Sequence, residues 1–338
     1  MFKKNFCLNN CMAVIKLDLK DKKILDELDL NARYFISDIA KKVQLNKEVV
    51  KYRIHNLEKK NVITEYRTLI NYGKLGLNLF RVGINLIDIT DETINEIQGF
   101  LKDVPSLHSL HQCDTNWDLV FTILVNDKRD FYKFYESFKG KFKKYVETQQ
   151  LSILTDEQVF TRSLAPSAKK KNAVLDYCQE KVSFDKTDID ILQVVAHDAK
   201  CPLIDIAKKL DLDSMTVKRR IEGMVKKGII AGFKTEINPR VLGIKRYYVK
   251  LGLFDTSSLS AFSKHIATLK ETVAITDSIG DYDFEFELEV ADYFELEDLM
   301  NTLRKQFPII REINWFSPLR TIPPNAHEQL GEIIPSEK

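Results

Sequence analysis

Two stretches of the chain carry side chains suited to grip a polyanion. Between Lys47 and Lys60 five Lys/Arg stand against two Glu, and between Ser214 and Lys227 five stand against one. If each stretch is helical, Val50, Ile54 and Leu57 recur at i, i+4 and i+7 on an inner face, as do Val217, Ile221 and Met224 in the second. Lys47, Lys51, Tyr52 and His55 then point outward in the first helix, and Ser214, Thr216, Lys218 and Arg219 in the second. An α-helix fits the major groove of double-stranded DNA, with its N-terminal residues at the base edges. Arginine can grip guanine through two hydrogen bonds, while Ser, Thr and Lys serve bases or phosphates. Arg53 and Arg220 occupy the same place in both stretches, where a phosphate contact or an internal helix-fixing role is expected. A basic helix face alone is usually a solvated surface. Here it is the third helix of three, follows a tight turn and occurs twice, which points to DNA.

The elements that must position these faces are repeated as well. Leu17–Gly76 recurs at Phe184–Gly243, shifted by 167 residues without a gap, and 23 of the 59 positions from Asp18 to Gly76 are identical. In the first copy Ile24, Leu25 and Leu28 define one helix. Ile36, Ile39 and Ala40 define a second, with Ser37 as its expected N-cap. Val43-Gln44-Leu45 makes the turn, and Asn46 caps the third helix. Asp213 caps its counterpart in the second copy. Two helices joined by a tight turn, the second basic, form the helix-turn-helix pattern. Val62–Ile70 and Ile229–Ile237 then read as strand pairs, or wings.

After each copy the pattern runs strand, helix, strand, strand, helix, strand, the ferredoxin-like order. In Asp283–Val290 the residues Phe284, Phe286, Leu288 and Val290 alternate with Glu285, Glu287 and Glu289, which predicts a half-buried strand whose glutamates form a solvated face. The fold class is therefore α+β, with two winged helix-turn-helix domains (17–76 and 183–243), each followed by a ferredoxin-like βαββαβ domain (78–160 and 245–317). A linker is expected over 161–182 and a loosely packed or extended tail over 318–338.

Bulk properties narrow the classes further. The net charge is only +2, so attraction to nucleic acid must come from local patches. No apolar run approaches the ~20 residues that span a bilayer, and Asn9, Asn10 and Lys16 interrupt any secretory segment after Lys3 and Lys4. Met12 is an alternative start. The five cysteines (Cys7, Cys11, Cys113, Cys178 and Cys201) are scattered without a Cys-x-x-Cys, which fits a reducing cytoplasm and argues against a disulfide framework or a metal site at Cys7 and Cys11. The chain has no Gly-rich phosphate loop, nucleophile elbow or His-Glu-x-x-His zinc motif. No cofactor, metal or catalytic activity is expected.

The joint order of motifs resembles the Lrp/AsnC (feast/famine) transcriptional regulators. It is carried by Leu19-x-Asp21-x-x-Ile24-Leu25, Ile39-Ala40, Val50-x-x-Arg53-Ile54-x-x-Leu57-Glu58 and Val62-Ile63. Asp188-x-x-Ile191-Leu192, Ile206-Ala207, Val217-x-x-Arg220-Ile221 and Gly228-Ile229-Ile230 repeat them, and Gly280-Asp281-Tyr282-Asp283 looks like the family's loop between central strands. The resemblance implies pairing through the ferredoxin-like sheets, often with further assembly into homo-oligomers. It also implies an amino acid or related effector near Gly280, Asp281, Tyr282 and Asp283. The chain departs in being a fused tandem, in having Thr115-Asn116-Trp117-Asp118 at the first copy's equivalent loop, and in Asn61 where the second copy has Gly228. Fusion predicts an intrachain pseudo-dimer reading two unlike half-sites. Two other readings stay open. One is a siroheme-decarboxylase-like enzyme, which shares this two-domain build in paired units. It would need histidines such as His108 and His111 with basic residues around a tetrapyrrole carboxylate, and spacing three along a strand sends those two to opposite faces. The other is a small-molecule sensor without DNA binding.

Overall fold

The computed structural model describes residues 14–166, 168–322, 326 and 329–334. Cys7, Cys11 and both candidate start methionines lie outside these residues. In the first unit α1 (Leu19–Leu30), α2 (Ile36–Val43) and α3 (Lys47–Lys59) precede strand β1 (Ile63–Ile70). Asp18 starts α1 by accepting from the Asp21 N–H at 2.7 Å. Ser37 does not cap α2: the helix begins at Ile36 after Phe35, and Ser37 lies inside its first turn.

The first ferredoxin-like domain follows as β2 (Asn78–Leu86), α4 (Asp91–Lys102), β3 (Leu107–Cys113), β4 (Leu119–Val125), α5 (Lys128–Phe142) and β5 (Val146–Phe160). Then come β6 (Asn172–Asp176), the second trio α6 (Lys186–His197), α7 (Leu203–Leu210) and α8 (Ser214–Lys226), and β7 (Ile230–Ile237). The second βαββαβ set is β8 (Lys245–Leu253), α9 (Leu259–Thr268), β9 (Thr272–Ile279), β10 (Phe284–Val290), α10 (Tyr293–Gln306) and β11 (Ile310–Phe316). It ends in β12 (Pro318–Ile322) and a short α11 (Leu330–Ile333).

The wings differ from the expected strand pairs. Each unit supplies one strand, and β1 pairs with β7 in an antiparallel ribbon between the two units. The ribbon is an exchange. Thr68 donates its hydroxyl to the Val195 carbonyl of α6, and Thr235, its repeat equivalent, to the Leu28 carbonyl of α1. The Ala32 N–H reaches the Phe233 carbonyl at 2.9 Å, and the Ala199 N–H reaches Tyr66 at 2.8 Å. Ile237 and Val241 complete the core of the first trio around Ile24, Leu28, Val50 and Ile54, while Leu69 and Ile70 enter the core of the second. A lone strand flanking three short helices leaves apolar surface and backbone hydrogen bonds unmatched, and the other unit's strand supplies both.

The other strands form one sheet in the order β11-β8-β10-β9-β5-β2-β4-β3-β12, with β6 on β5. Its first and last members are consecutive in the chain, separated only by Ser317, so the chain itself links the sheet's two edges. Outward apolar residues meet the helices: Phe80, Val82 and Phe121 pack with Phe138 and Phe142, and Phe284, Phe286 and Leu288 with Phe262 and Leu296. The glutamates of β10 are not solvated. They point to the inner side, where the second half of the sheet meets the first. Glu285 is 5% exposed and lies 2.6 Å from Arg81, and Glu289 accepts from Arg162 at 2.8 Å and Arg246 at 2.6 Å. The alternating pattern was right about the strand, but arginines from the same sheet and the segment after β5, not water, cover its polar face.

The linker and tail are built in. Arg162 is buried, β6 adds to β5, β12 pairs with β3, and Ala326, Leu330 and Ile334 enter the second trio's core. No helix among the described residues is long and apolar enough to cross a membrane.

Candidate nucleic-acid interface

Both recognition helices are set by the same local devices. Gln44 and Asp211 end α2 and α7 in the left-handed region at φ 56° and 54°, a conformation that short polar residues tolerate better than branched ones. The next residues, Leu45 and Leu212, return their N–H groups to Ala40 and Ala207 and tuck into the cores. Asn46 then caps α3 by accepting from the Glu48 N–H at 2.9 Å, and Asp213 caps α8 by accepting from the Thr216 N–H at 2.8 Å. Such caps satisfy backbone N–H groups that the first helical turn leaves without a partner. The hydrogen bonds from Thr216 hold the Asp213 carboxyl below the usual range. At the far end Asn61 takes φ 56° where Gly228 takes 74°, so asparagine does serve in the glycine's place.

The inner stripes are as expected: Val50, Ile54 and Leu57 are buried, as are Val217, Ile221 and Met224. Lys47, Lys51, Tyr52 and His55 are exposed on α3, and Lys218 and Arg219 on α8. Ser214 and Thr216 are half-buried beside the cap. For Arg53 and Arg220 the structure displays the helix-fixing contact. Arg53 Nη1 lies 2.7 Å from Asp21 and 2.8 Å from Asp18, and Arg220 Nη1 lies 2.7 Å from Asp185 and 3.2 Å from Asp188. Each guanidinium thus ties its recognition helix to the start of the first helix in its unit. Sequence reading missed the carboxylates Asp18, Asp21, Asp185 and Asp188 as partners, although their identity in both copies was a visible signal.

The ribbon places the two helices about a pseudo-dyad. Arg67 stands opposite Lys234 in the β1–β7 register, and these two residues are equivalents in the repeat. The two outward faces are therefore related by the local twofold of a single chain.

Gly280, Asp281, Tyr282 and Asp283 come together in the β9–β10 turn, lying against β5 of the other half. A Cβ on Gly280 would stand 2.8 Å from Ser152 Cβ and 3.2 Å from the Leu151 carbonyl. Asp281 accepts from Gln150 at 3.1 Å, the Tyr282 hydroxyl from Asn314 at 2.8 Å, and Asp283 from the Leu253 N–H at 2.7 Å. In the first copy Asp118 accepts from the Leu86 N–H at 2.8 Å, the equivalent bond, while Trp117 covers Gly83. His108 packs on Tyr72 with ring centres 5.1 Å apart. His111 lies on the inner side of the sheet beside Tyr248, where burial and then Arg81 and Arg246 push its pKa down to about 4.

A winged helix-turn-helix DNA-binding model matches residues 17–64 and again 184–231. The chain is 31% identical over 100 residues to the HTH-type transcriptional regulator Ptr1 of Methanocaldococcus jannaschii, covering 29% of this chain and 67% of that protein. It is 27% identical over 118 residues to the proline dehydrogenase transcriptional activator of Rhodobacter capsulatus, covering 35% and 77%. Among solved structures, the siroheme decarboxylase NirDL superposes with a TM-score of 0.61 at 11% identity, over 93% of this chain and 98% of that one, a likeness of fold. The two matched segments are those that build the two recognition helices, and the chain belongs to the Lrp/AsnC family of helix-turn-helix regulators, carrying two of its units in tandem.

Proposed function

We infer that the protein is a sequence-specific DNA-binding transcriptional regulator in which one chain presents both recognition helices. The observation that carries this reading is the pair of outward faces, α3 and α8, held about one pseudo-dyad by the β1–β7 ribbon. A homodimer must associate before it can read two half-sites. A fused pair has its second reader at high effective concentration from the start. Lys47 and Lys51 on α3, with Lys218 and Arg219 on α8, would supply phosphate and base contacts, Tyr52, His55, Ser214 and Thr216 would flank them, and Arg53 and Arg220 would hold the helices. An amino acid or related metabolite at Gly280–Asp283 would act through the seam between the two halves of the sheet, and the reading includes no catalytic step. Selection of the purified protein against a random DNA pool, followed by binding at two salt concentrations, tests it. The expected result is an enriched two-part motif with steep salt dependence. Sequence-blind binding, or none, would sink it.

A second reading has one observation behind it, the near full-length likeness to NirDL. His111, Arg81 and Arg246 line the inner side of the sheet, where a carboxylate-bearing tetrapyrrole would need basic groups. Arg81 and Arg246 are already joined to Glu285 and Glu289, each at 2.6 Å, which weighs against that use. An absorbance titration with an iron tetrapyrrole separates the two: a saturable Soret shift would favour the enzyme reading.

A further inference from the structure

The pseudo-dyad brings equivalent positions of α3 and α8 to equivalent places, and the chemistry there differs. Lys51 and Lys218 match. Glu48 corresponds to Met215, Tyr52 to Arg219 and His55 to Glu222, all on the exposed side of their helices. Met215 is 69% and Tyr52 67% exposed, high values for an apolar and an aromatic side chain with no core to serve. Of the consecutive arginines on α8, Arg220 is held by Asp185 and Asp188, so Arg219 is the one left facing outward. A guanidinium fork can donate twice to guanine O6 and N7. Tyrosine at the same place cannot; its ring covers a thymine methyl. Likewise a methionine meets a thymine methyl, whereas a glutamate accepts from cytosine N4 and repels phosphate.

We propose that, given the DNA-reading function inferred above, the chain recognises a non-palindromic operator in one fixed orientation. A guanine faces Arg219 in the α8 half-site, and a thymine faces Tyr52 at the dyad-related place in the α3 half-site. Residues 48/215 and 52/219 are the specificity-determining pairs. A symmetric homodimer binds a palindrome equally in both directions. This chain takes one direction, so its dissimilar loops, Gly280–Asp283 in one half and Thr115–Asp118 in the other, face set sides of the site.

The test is selection from a random DNA pool with three proteins: wild type, Glu48→Met/Tyr52→Arg, and the reciprocal Met215→Glu/Arg219→Tyr. All four side chains are exposed on helices whose cores are untouched, and thermal melting checks the fold. Wild type should enrich a motif with unlike halves. The first variant should enrich a near-palindrome of the guanine-bearing half, and the second a near-palindrome of the other. Each variant should prefer its own motif over the wild-type motif by about 5- to 100-fold, the range one good base contact gives. A single Arg219→Lys, which keeps the charge and loses the fork, should lower guanine preference in one half-site while leaving the salt dependence unchanged. A palindromic wild-type motif, or exchanged variants that still enrich the wild-type motif, would overturn the proposal. No enriched motif for wild type would instead remove the DNA-reading function on which it rests.

Discussion

Arg67 and Lys234 are one residue of the repeat seen twice, and they face each other across the β1–β7 ribbon. The local dyad passes between them. Lys234 turns into the interior, 2.6 Å from Asp29 of α1, while Arg67 lies 3.5 Å from Glu236 and keeps 38% of its side chain exposed. One backbone symmetry therefore carries two electrostatic environments, one dry and one wet.

The ribbon can be tested for pairing within one chain. Glu65 and Glu236 are register partners. With both changed to cysteine, oxidation should give a disulfide that leaves the denatured mass at one chain, 39.2 kDa. A crosslinked dimer on a non-reducing gel would mean that the strands pair between chains.

Lys234 and Asp29 should behave as a buried pair whose halves cannot be lost singly. Their side chains are 7% and 0% exposed. Lys234→Met should cost up to about 3–5 kcal/mol in urea unfolding, because it leaves the buried Asp29 carboxylate only the Arg162 N–H at 2.7 Å and the more distant Arg162 guanidinium at 3.9 Å. Asp29→Asn in the same chain should recover part of that loss. A change below ~1 kcal/mol would mean that water reaches the pair.

Much of this was legible in the sequence, and the misses share a cause. The apolar positions Val50, Ile54 and Leu57 gave the recognition helix because a 3.6-residue period reports only the helix itself. The strand predicted over Asp283–Val290 came out within one residue, because a two-residue period likewise reports only the strand itself. Partners far along the chain were not legible. Thr68 reads as a wing residue until Val195 accepts its hydrogen bond, and Glu285 reads as a surface residue until Arg81 closes on it. Pro318 reads as the start of a loose tail because nothing local reports that β12 will pair with β3. Ser37 failed as a cap because α2 begins one residue earlier, with backbone bonds from Asp38 and Ile39 back to Phe35.

Stability should peak between two pH limits. Burial pushes Glu289 up, but Arg162 and Arg246 more than offset it and hold the group at about 2. With a folded pKa below the unfolded one, its contribution is present above about pH 4.5 and is lost as pH falls toward 2. Asp156 is the opposite case: burial, then Asp277 directly opposite it across β5–β9, raise it to about 7. A raised carboxyl leaves stability untouched below its unfolded value near 4 and lowers it as pH climbs from there through 7. Urea midpoints should thus fall both below about pH 4, as Glu289 takes up its proton, and between about pH 4 and 7, as Asp156 ionises. Asp156→Asn should make the upper fall shallower and leave the acid limb in place, the remaining fall belonging to Asp26 and Glu287, which burial raises to about 6 and about 7. An Asp156→Asn protein whose midpoint still drops between pH 5 and 8 as steeply as wild type would refute the assignment.

On DNA, the neighbours on α8 should separate. Lys218→Ala with Arg219→Ala should weaken binding and reduce the slope of log affinity against log salt by up to about two, since two cations leave the interface. Arg220→Ala should act through the fold, lowering the melting temperature because it frees α8 from Asp185 and Asp188. The two ion pairs are partly exposed, so that cost should be only about 1 kcal/mol. Equal loss of salt slope in both proteins would move Arg220 from scaffold to contact.

Gly280 ties the candidate effector loop to the opposite half of the sheet, and its lack of a side chain is what permits the contact. A methyl there would stand 2.8 Å from Ser152 Cβ, closer than real Cβ atoms approach, and the Leu151 carbonyl oxygen and Ser152 Cα, at 3.2 and 3.3 Å, are backbone that cannot swing away. Gly280→Ala should therefore force β9 and β5 apart near the Ile153–Ile279 pairing, destabilising the protein by about 1–3 kcal/mol. Ser152→Gly removes the opposing Cβ and should restore most of that loss, though not all, because the Leu151 carbonyl remains 3.2 Å away. If the loop also couples the halves of the sheet to the DNA-reading pair, Gly280→Ala should weaken DNA binding even where melting shows the chain fully folded. Ser152→Gly should then recover binding and stability together. Recovery of stability alone would confine the glycine to packing.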